Sequence, residues 1–545
     1  MSDMKKKLDA LKAMTGLGTG ADLKRAVKPP KIEASHRTDT TDTTDVAEDF
    51  DFLDQSNRSY PSYPSEVATS PPPPNGKLAD LLKAHGLKTG AALQRELGTT
   101  SPQRRTLPRE ERALPQSNVN RLRGLTDRLG VSPHHAFDTE YDRAPCITQE
   151  ERDAGTYMLE NHIPGEIIGD AESGFYLIRH DYPLDYRQGI VELGAALQSK
   201  SKHIAFSACD PELEDFDPRT ACFVDTETTG LMGGTGTVAF LVGVGYFIEG
   251  AFRLDQCIMR DFDDEEPMLH YLAELFDRHD TLVSYNGKSF DLPLLRTRFI
   301  QSRIPFRGDG ILHLDLVHAA RRFWKQRLKD CSLGNVEREI LSIFREGDVP
   351  GYLIPQLWFR YLEERDARPL EGVLHHHEMD ILSLVSLTAW MSQCLDSPGG
   401  QGFAHLEDKL SVVRIHFRQK HYDDVIEHAR LFLEETESAA LRRECLEMLA
   451  LACKRRERWE EMQRAWEEVL DAFPGDPEAS HELAKHHEHR TRDLIAAARL
   501  CREALTHYAT REGTAGLERS EARTFRHRLE RIEKKLGRRG GELEF

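Results

Sequence analysis

The apolar run VAFLVGVGYFI at 238–248 constrains this chain more than any other feature. Spanning a bilayer takes about 20 apolar residues, so this run is too short to be a membrane helix. Rich in β-branched and aromatic residues, it reads instead as a buried strand. Glu249-Gly250 turns the chain, and 252–259 returns as a second strand. Residues 221–225, ACFVD, read as another. Downstream, 265–278 has helical periodicity, 281–285 is a strand, 292–302 a helix, 311–314 a strand and 317–327 a helix. The main domain is expected over 204–395. Weaker signals in 150–200 predict a preface packed on it.

The flanks have a different texture. Within 1–140, residues 39–54 are rich in Thr and Asp, 70–74 read SPPPP, and 99–117 alternate Arg, Pro and Ser. Such composition buries too little apolar surface to offset chain entropy, so a mostly disordered N-terminal tail is expected. Inside it LKAMTGLGTGADLKRAV at 11–27 recurs as LKAHGLKTGAALQREL at 82–97. Two copies of one helix-forming motif suggest a docking peptide for a protein partner, or a duplication with none. From 403 to 545 an all-α helical-repeat domain is expected. Tyr422, Trp459 and Leu494 occupy equivalent places, 37 and 35 residues apart. That period resembles tetratricopeptide repeats, and plain helical hairpins are the alternative. The surface of either is a candidate for protein partners.

The formal charge of −18 argues against a protein that coats nucleic acid by bulk attraction. It leaves open an enzyme that meets phosphate through bound cations. The nine cysteines show no CxxC pair, so neither a disulfide framework nor a structural zinc site is expected. The N-terminus lacks the apolar core of a signal peptide, which predicts a cytoplasmic protein without a membrane association.

Three short segments carry the chemistry. In FVDTETTG at 223–230, Asp225 and Glu227 are i and i+2 of a strand and share a face. Adjacent carboxylates repel unless a proton or cation separates them, and Mg²⁺ or Mn²⁺ suits hard oxygen donors. In SYNGKSFD at 284–291, Asn286-Gly287 turns the chain and Asp291 opens a helix, where it could simply cap it. In LHHHEMDILSL at 374–384, Asp380 sits among apolar residues at helical spacing, with His376 one turn before it. A buried Asp without a partner is costly, so a structural partner or a metal is required.

Together these segments resemble the DEDD exonuclease superfamily over about 221–387. Asp225 and Glu227 match its first motif, Asp291 in N-x-x-x-F-D the second and Asp380 the third. The chain is also similar to the YprB-type branch. The likeness lies in HLDLVHAARRFWKQRLKDCSLGNVEREIL, the following GDVPGYLIP, and a helical-repeat C-terminus. The resemblance implies an α/β, ribonuclease-H-like mixed sheet with flanking helices and 3′–5′ exonuclease activity on DNA or RNA. It also implies a two-metal mechanism, with Mg²⁺ or Mn²⁺ ions ~3.5–4 Å apart. Asp225 would bridge both ions, Glu227 and Asp380 would complete one site, and Asp291 would hold the other through water. A third-motif His would be the general base. His375 fits one family spacing and His376 the other, and the branch's H-N-x-x-D pattern favours His376.

Arg321, Arg322, Lys325, Arg327 and Lys329 interleave with Phe323 and Trp324. The pattern suits stacking on a single strand, or an exposed basic face with both aromatics turned into the core. Asp315 reads as structural. Two other functions compete with the exonuclease. A non-catalytic nucleic-acid-binding adaptor is disfavoured because all four carboxylates are present. A ribonuclease-H-type endonuclease is disfavoured by the helical third motif with its His.

Overall fold

The computed structural model describes residues 147–542, apart from 170–172, 231–235, 307 and 398–399. The 1–140 tail and its duplicated motif lie outside the described residues. Seven strands form a mixed sheet: β1 (Glu166–Ile168), β2 (Phe175–Pro183), β3 (Ala221–Thr228), β4 (Ala239–Ile248), β5 (Ala251–Ile258), β6 (Thr281–Ser284) and β7 (Leu312–Asp315), while Arg187–Gln188 and Val191–Glu192 pair apart from it. Their order is β1-β2-β5-β4-β3-β6-β7. The two apolar runs become the antiparallel hairpin β4–β5, with Gly250 at φ +78° in its turn. β3 pairs antiparallel to β4 and parallel to β6, and β7 continues the parallel side.

The segment expected as a preface packed on the main domain joins it by extending the sheet. β2 pairs along its length with β5, from Tyr176–Ile258 to Pro183–Ala251, and β1 pairs with β2. Its first four residues are buried, and only beyond them does a polar–apolar mixture begin. GFYLIRHDYP at 174–183 reads as a strand signal by composition, but its weak alternation does not tell which sheet it joins.

Helices cover both faces. α1 (Ser201–Ala208), α2 (Glu265–Phe276), α3 (Asp291–Ser302), α4 (Leu316–Leu328), α5 (Ile354–Glu364) and α6 (Arg368–Cys394) supply two apolar clusters. One gathers Leu269, Leu272, Phe276, Phe299 and Trp358; the other gathers Ile204, Phe323, Trp324, Leu382 and Val385. Each fully buried side chain of this size contributes about 1.5–3 kcal/mol. α6 belongs to both, with Leu370, Val373 and Leu374 in the first and Ile381 onward in the second. Between these two anchors lie His376, His377 and Asp380.

Glycine lets α6 come that close. A Cβ at Gly243 on β4 would stand 2.1 Å from Ile381 Cδ1 and 2.4 Å from His377 Cε1.

The basic–aromatic stretch became α4, and stacking on nucleic acid is not what its rings do. Phe323 and Trp324 are each 1% exposed, and Phe323 lies 5.1 Å from the Phe403 ring. Two of the cations are structural as well. Arg322 donates to the Ser207 carbonyl, and Arg327 pairs with buried Asp408 at 2.8 Å. Packing took precedence because a Trp and a Phe bury too much apolar area to be left in water.

The C-terminal region is a succession of helices: α7 (Leu406–Arg418), α8 (Tyr422–Glu435), α9 (Ala439–Arg455), α10 (Trp459–Ala472), α11 (Pro477–His486), α12 (Leu494–Leu517) and α13 (Ser520–Glu542). Tyr422, Trp459 and Leu494 each open a helix. Two residues before each, Lys420, Glu457 and Arg492 adopt φ of +62°, +57° and +58°. The same left-handed turn thus recurs at the three equivalent places. The region is seated on α4 by the Arg327–Asp408 pair and by Ser411 donating to the Phe323 carbonyl at 2.9 Å.

Candidate active site

β3 is buried through ACFV and half-buried through DTET, so its carboxylates emerge at the rim of the sheet. The register against β4 shifts between Glu227 and Thr228, an irregularity common next to sites. Asp291 stands at the start of α3, where the Thr226 hydroxyl donates to its carboxylate. The turn ahead of it is built by Asp315. That buried carboxylate accepts from the Asn286 amide at 2.7 Å and the Lys288 amide at 3.0 Å, and it caps α4 at Val317 N. Asn286 holds φ +70°, and a Cβ on Gly287 would lie 2.4 Å from Ser284 Oγ. Asp315 therefore shapes the loop that presents Asp291.

α6 brings its residues from the other side. His376 Nε2 lies 3.5 Å from Asp380 Oδ2 and 3.9 Å from Glu227 Oε1. One ligand atom from each of Glu227, His376 and Asp380 falls within 4.8 Å of the others. The far nitrogen of His376, Nδ1, is 2.8 Å from Asp348 Oδ1. Arg345 Nη2 meets Asp380 Oδ1 at 2.5 Å and also pairs with buried Glu337. Its Nη1 is 3.4 Å from Asp348. His377 is fully buried beneath Asp225, with Nε2 3.1 Å from the Asp225 carbonyl and Nδ1 3.1 Å from the Gln256 amide. The carbonyl can only accept and the amide only donate, so His377 is the neutral Nε2–H tautomer. His375, five residues ahead of Asp380, faces solvent beside Glu378 at 3.8 Å.

The charges are unbalanced. Burial, then the neighbouring Asp380, Asp291 and Glu227, push the Asp225 carboxyl well above its ordinary range. Burial and Asp380 lift Glu227 to about 8. Burial lifts Asp291 to about 6, against the opposing Thr226 hydrogen bond. Burial pulls His376 down, but Asp348, Asp380 and Glu227 outweigh it and leave the imidazole above its usual value. His377 is driven down to about 4 by burial. Arg345 is the one guanidinium paired with this cluster among the described residues. Oxygen donors that repel one another and outnumber their counter-charges fit hard divalent cations, so the donor set matches Mg²⁺ or Mn²⁺.

A family model described as the RNase_H superfamily matches residues 222–392, which contain all of these groups. The uncharacterized protein YprB of Bacillus subtilis (strain 168) is 32% identical over 380 residues, covering 67% of this chain and 87% of that protein. The chain belongs to the YprB family. It carries a ribonuclease-H-like nuclease domain of the same superfamily. Among solved structures, the family B DNA polymerase from the hyperthermophilic archaeon Pyrobaculum calidifontis is similar over 39% of this chain and 30% of that one. The identity is 17% and the TM-score 0.28.

In this YprB-family domain, Asp225, Glu227, Asp291, His376 and Asp380 all come to one rim. His375 does not, because α6 already includes it and turns it away. Arg345, Asp348 and Glu337 are the residues that sequence reasoning missed, and His377, visible in the His375–His377 run, is found in a supporting place that the run does not disclose. Asp348 sits inside the GDVPGYLIP stretch that marks the YprB-type branch, which is the signal that could have found it. His377 replaces the Asn of H-N-x-x-D, and its burial under β3 leaves no periodic trace.

Proposed function

We propose that this chain is a DEDD-type, metal-dependent 3′–5′ exonuclease acting on DNA or RNA. The supporting observation is the convergence of Asp225, Glu227 and Asp380 with His376 beside the start of α3, where buried acids outnumber the cations able to neutralise them. Asp225, Glu227, Asp291 and Asp380 are assigned as ligands of two Mg²⁺ or Mn²⁺ ions, which when bound would polarise the phosphate and lower the pKa of water. His376 is assigned as general base. Asp348 accepts from its Nδ1–H and aims Nε2 toward the carboxylates, so a proton accepted at Nε2 is stabilised by a neighbouring anion. Arg345 fixes the Asp380 rotamer through Oδ1 and leaves Oδ2 facing the cluster. His377 and Gln256 hold the Asp225 backbone in place.

The C-terminal helices are proposed as a tetratricopeptide-like scaffold for protein partners, on the strength of their recurring left-handed turns, and the protein is proposed to work in the cytoplasm. Incubating the purified protein with 5′-labelled single- and double-stranded oligonucleotides of both sugars, in Mg²⁺ or Mn²⁺, tests the activity. A ladder shortening from the 3′ end is expected. Internal cuts, or none in any substrate, would reject the assignment.

A further inference from the structure

We propose that the first hairpin of the C-terminal region holds a transition-metal ion, Zn²⁺ by preference, on His416, His421 and Asp424, with His428 completing the set. The spacing H-x₄-H-x₂-D-x₃-H crosses from the last turn of α7 to the first turns of α8. Lys420, at φ +62°, reverses the chain, and the His421 amide donates to the His416 carbonyl at 3.0 Å. That folds His421 back over His416. Asp424 and His428 are i and i+4 on α8 and share a face. One ligand atom from each of His416, His421 and Asp424 lies within 4.8 Å of the other two. The His416 and His428 rings stand 4.5 Å apart.

Two further details point to a ligand. His416 Nδ1 is buried without a hydrogen-bond partner, and Asp424 Oδ2 lies 3.9 Å from it. Buried polar atoms left unsatisfied are rare and call for an explanation. His428 Nδ1–H donates to the Asp424 carbonyl at 2.8 Å, which leaves Nε2 with its lone pair. A hydrogen bond at one ring nitrogen fixes the tautomer and turns the other toward an ion. Three imidazoles and one carboxylate suit Zn²⁺ far better than Mg²⁺. The scattered cysteines argue against a thiolate site and say nothing of an imidazole one.

The place suggests a structural role. The Phe206 ring of α1, in the sheet domain, lies 4.4 Å from the His416 ring, and the Gln419 side chain donates to the Phe206 carbonyl at 3.1 Å. An ion there would clamp the turn that seats the helical region on the nuclease domain, as closed four-coordinate zinc sites do.

The acid cluster is a competing site, so the test uses the full chain carrying E227Q and D380N. After metal removal it is titrated with Zn²⁺ against a chromophoric chelator, and with Co²⁺ followed by visible absorption. One equivalent of Zn²⁺, a tetrahedral-type Co²⁺ spectrum and a higher unfolding midpoint are expected. Adding H421A or D424N should weaken Zn²⁺ binding by at least the ~10–100-fold that loss of an outer-shell partner costs. Both side chains are exposed, so the metal-free midpoint should not move. Absence of stoichiometric uptake by the E227Q/D380N chain, or uptake that survives H421A and D424N together, overturns the proposal.

Discussion

A single methyl group at Gly243 should disturb the active site from behind. Gly243 faces Asp225 in the β3–β4 register. A Cβ there would meet Ile381 Cδ1 at 2.1 Å, His377 Cε1 at 2.4 Å and His377 Nε2 at 3.0 Å. The Ile381 methyl can swing away. His377 cannot, because both its nitrogens are engaged with Asp225 and Gln256. In Gly243→Ala, α6 must therefore lift, carrying His376 and Asp380 with it. Overpacking of this kind costs about 1–3 kcal/mol, which for a domain of this size lowers the unfolding midpoint by about 2–4 °C per kcal/mol. A displacement near 1 Å in the site costs about 10²-fold in rate. Thermal melts and kcat on a labelled oligonucleotide measure both. Adding Ile381→Val removes the nearer clash and should return part of the stability but little of the rate, since the His377 contact remains. An unmoved midpoint together with wild-type kcat would refute the idea that this glycine sets the height of α6.

Other substitutions separate the roles assigned above. His376→Ala should lower kcat by ~10²–10⁴ with metal affinity nearly unchanged, whereas exposed His375→Ala should match wild type; impairment of His375→Ala instead would reverse that choice of base. Trp324→Ala should cost about 3–5 kcal/mol of stability and leave oligonucleotide affinity of the folded protein unchanged, because the ring is buried; weakened binding without destabilisation would contradict this. Glu488 is pushed up by burial, yet hydrogen bonds and charges from Arg531 and Lys535 hold it at about 2. Its folded pKa is depressed, so its stabilisation is complete above the ordinary Glu value and is lost as pH falls toward 2. Glu488→Gln should flatten the acid side of the stability–pH curve, and an unchanged curve would remove that linkage.

Local pattern carried much of the architecture. The buried runs, the Glu249-Gly250 turn and the alternation from 265 to 327 gave β3 through β7 and their helices nearly at their observed ends, because each decides its own conformation within a few residues. β2 lies in GFYLIRHDYP, which already reads as a strand signal, but its place in the main sheet beside β5 is a long-range pairing that local pattern does not carry. The carboxylates were legible through their strand and turn contexts. Their supporting residues were not. Arg345 reaches Asp380 across 35 residues and His377 reaches Asp225 across 152, and no local rule encodes such a meeting. For the basic–aromatic helix composition left two readings open, stacking on a single strand or both rings in the core, and the burial of Phe323 and Trp324 decides for the second.

The most direct measurement compares the wild-type chain with Asp225→Ala on a 5′-labelled single-stranded oligonucleotide, in EDTA and then in excess Mn²⁺. The account predicts no cleavage by the wild type in EDTA and a ladder shortening from the 3′ end once Mn²⁺ is restored. It predicts no cleavage by Asp225→Ala in either condition, with an unfolding transition that shows the variant folded. Cleavage by the wild type in EDTA, or an undiminished ladder from Asp225→Ala, would contradict it.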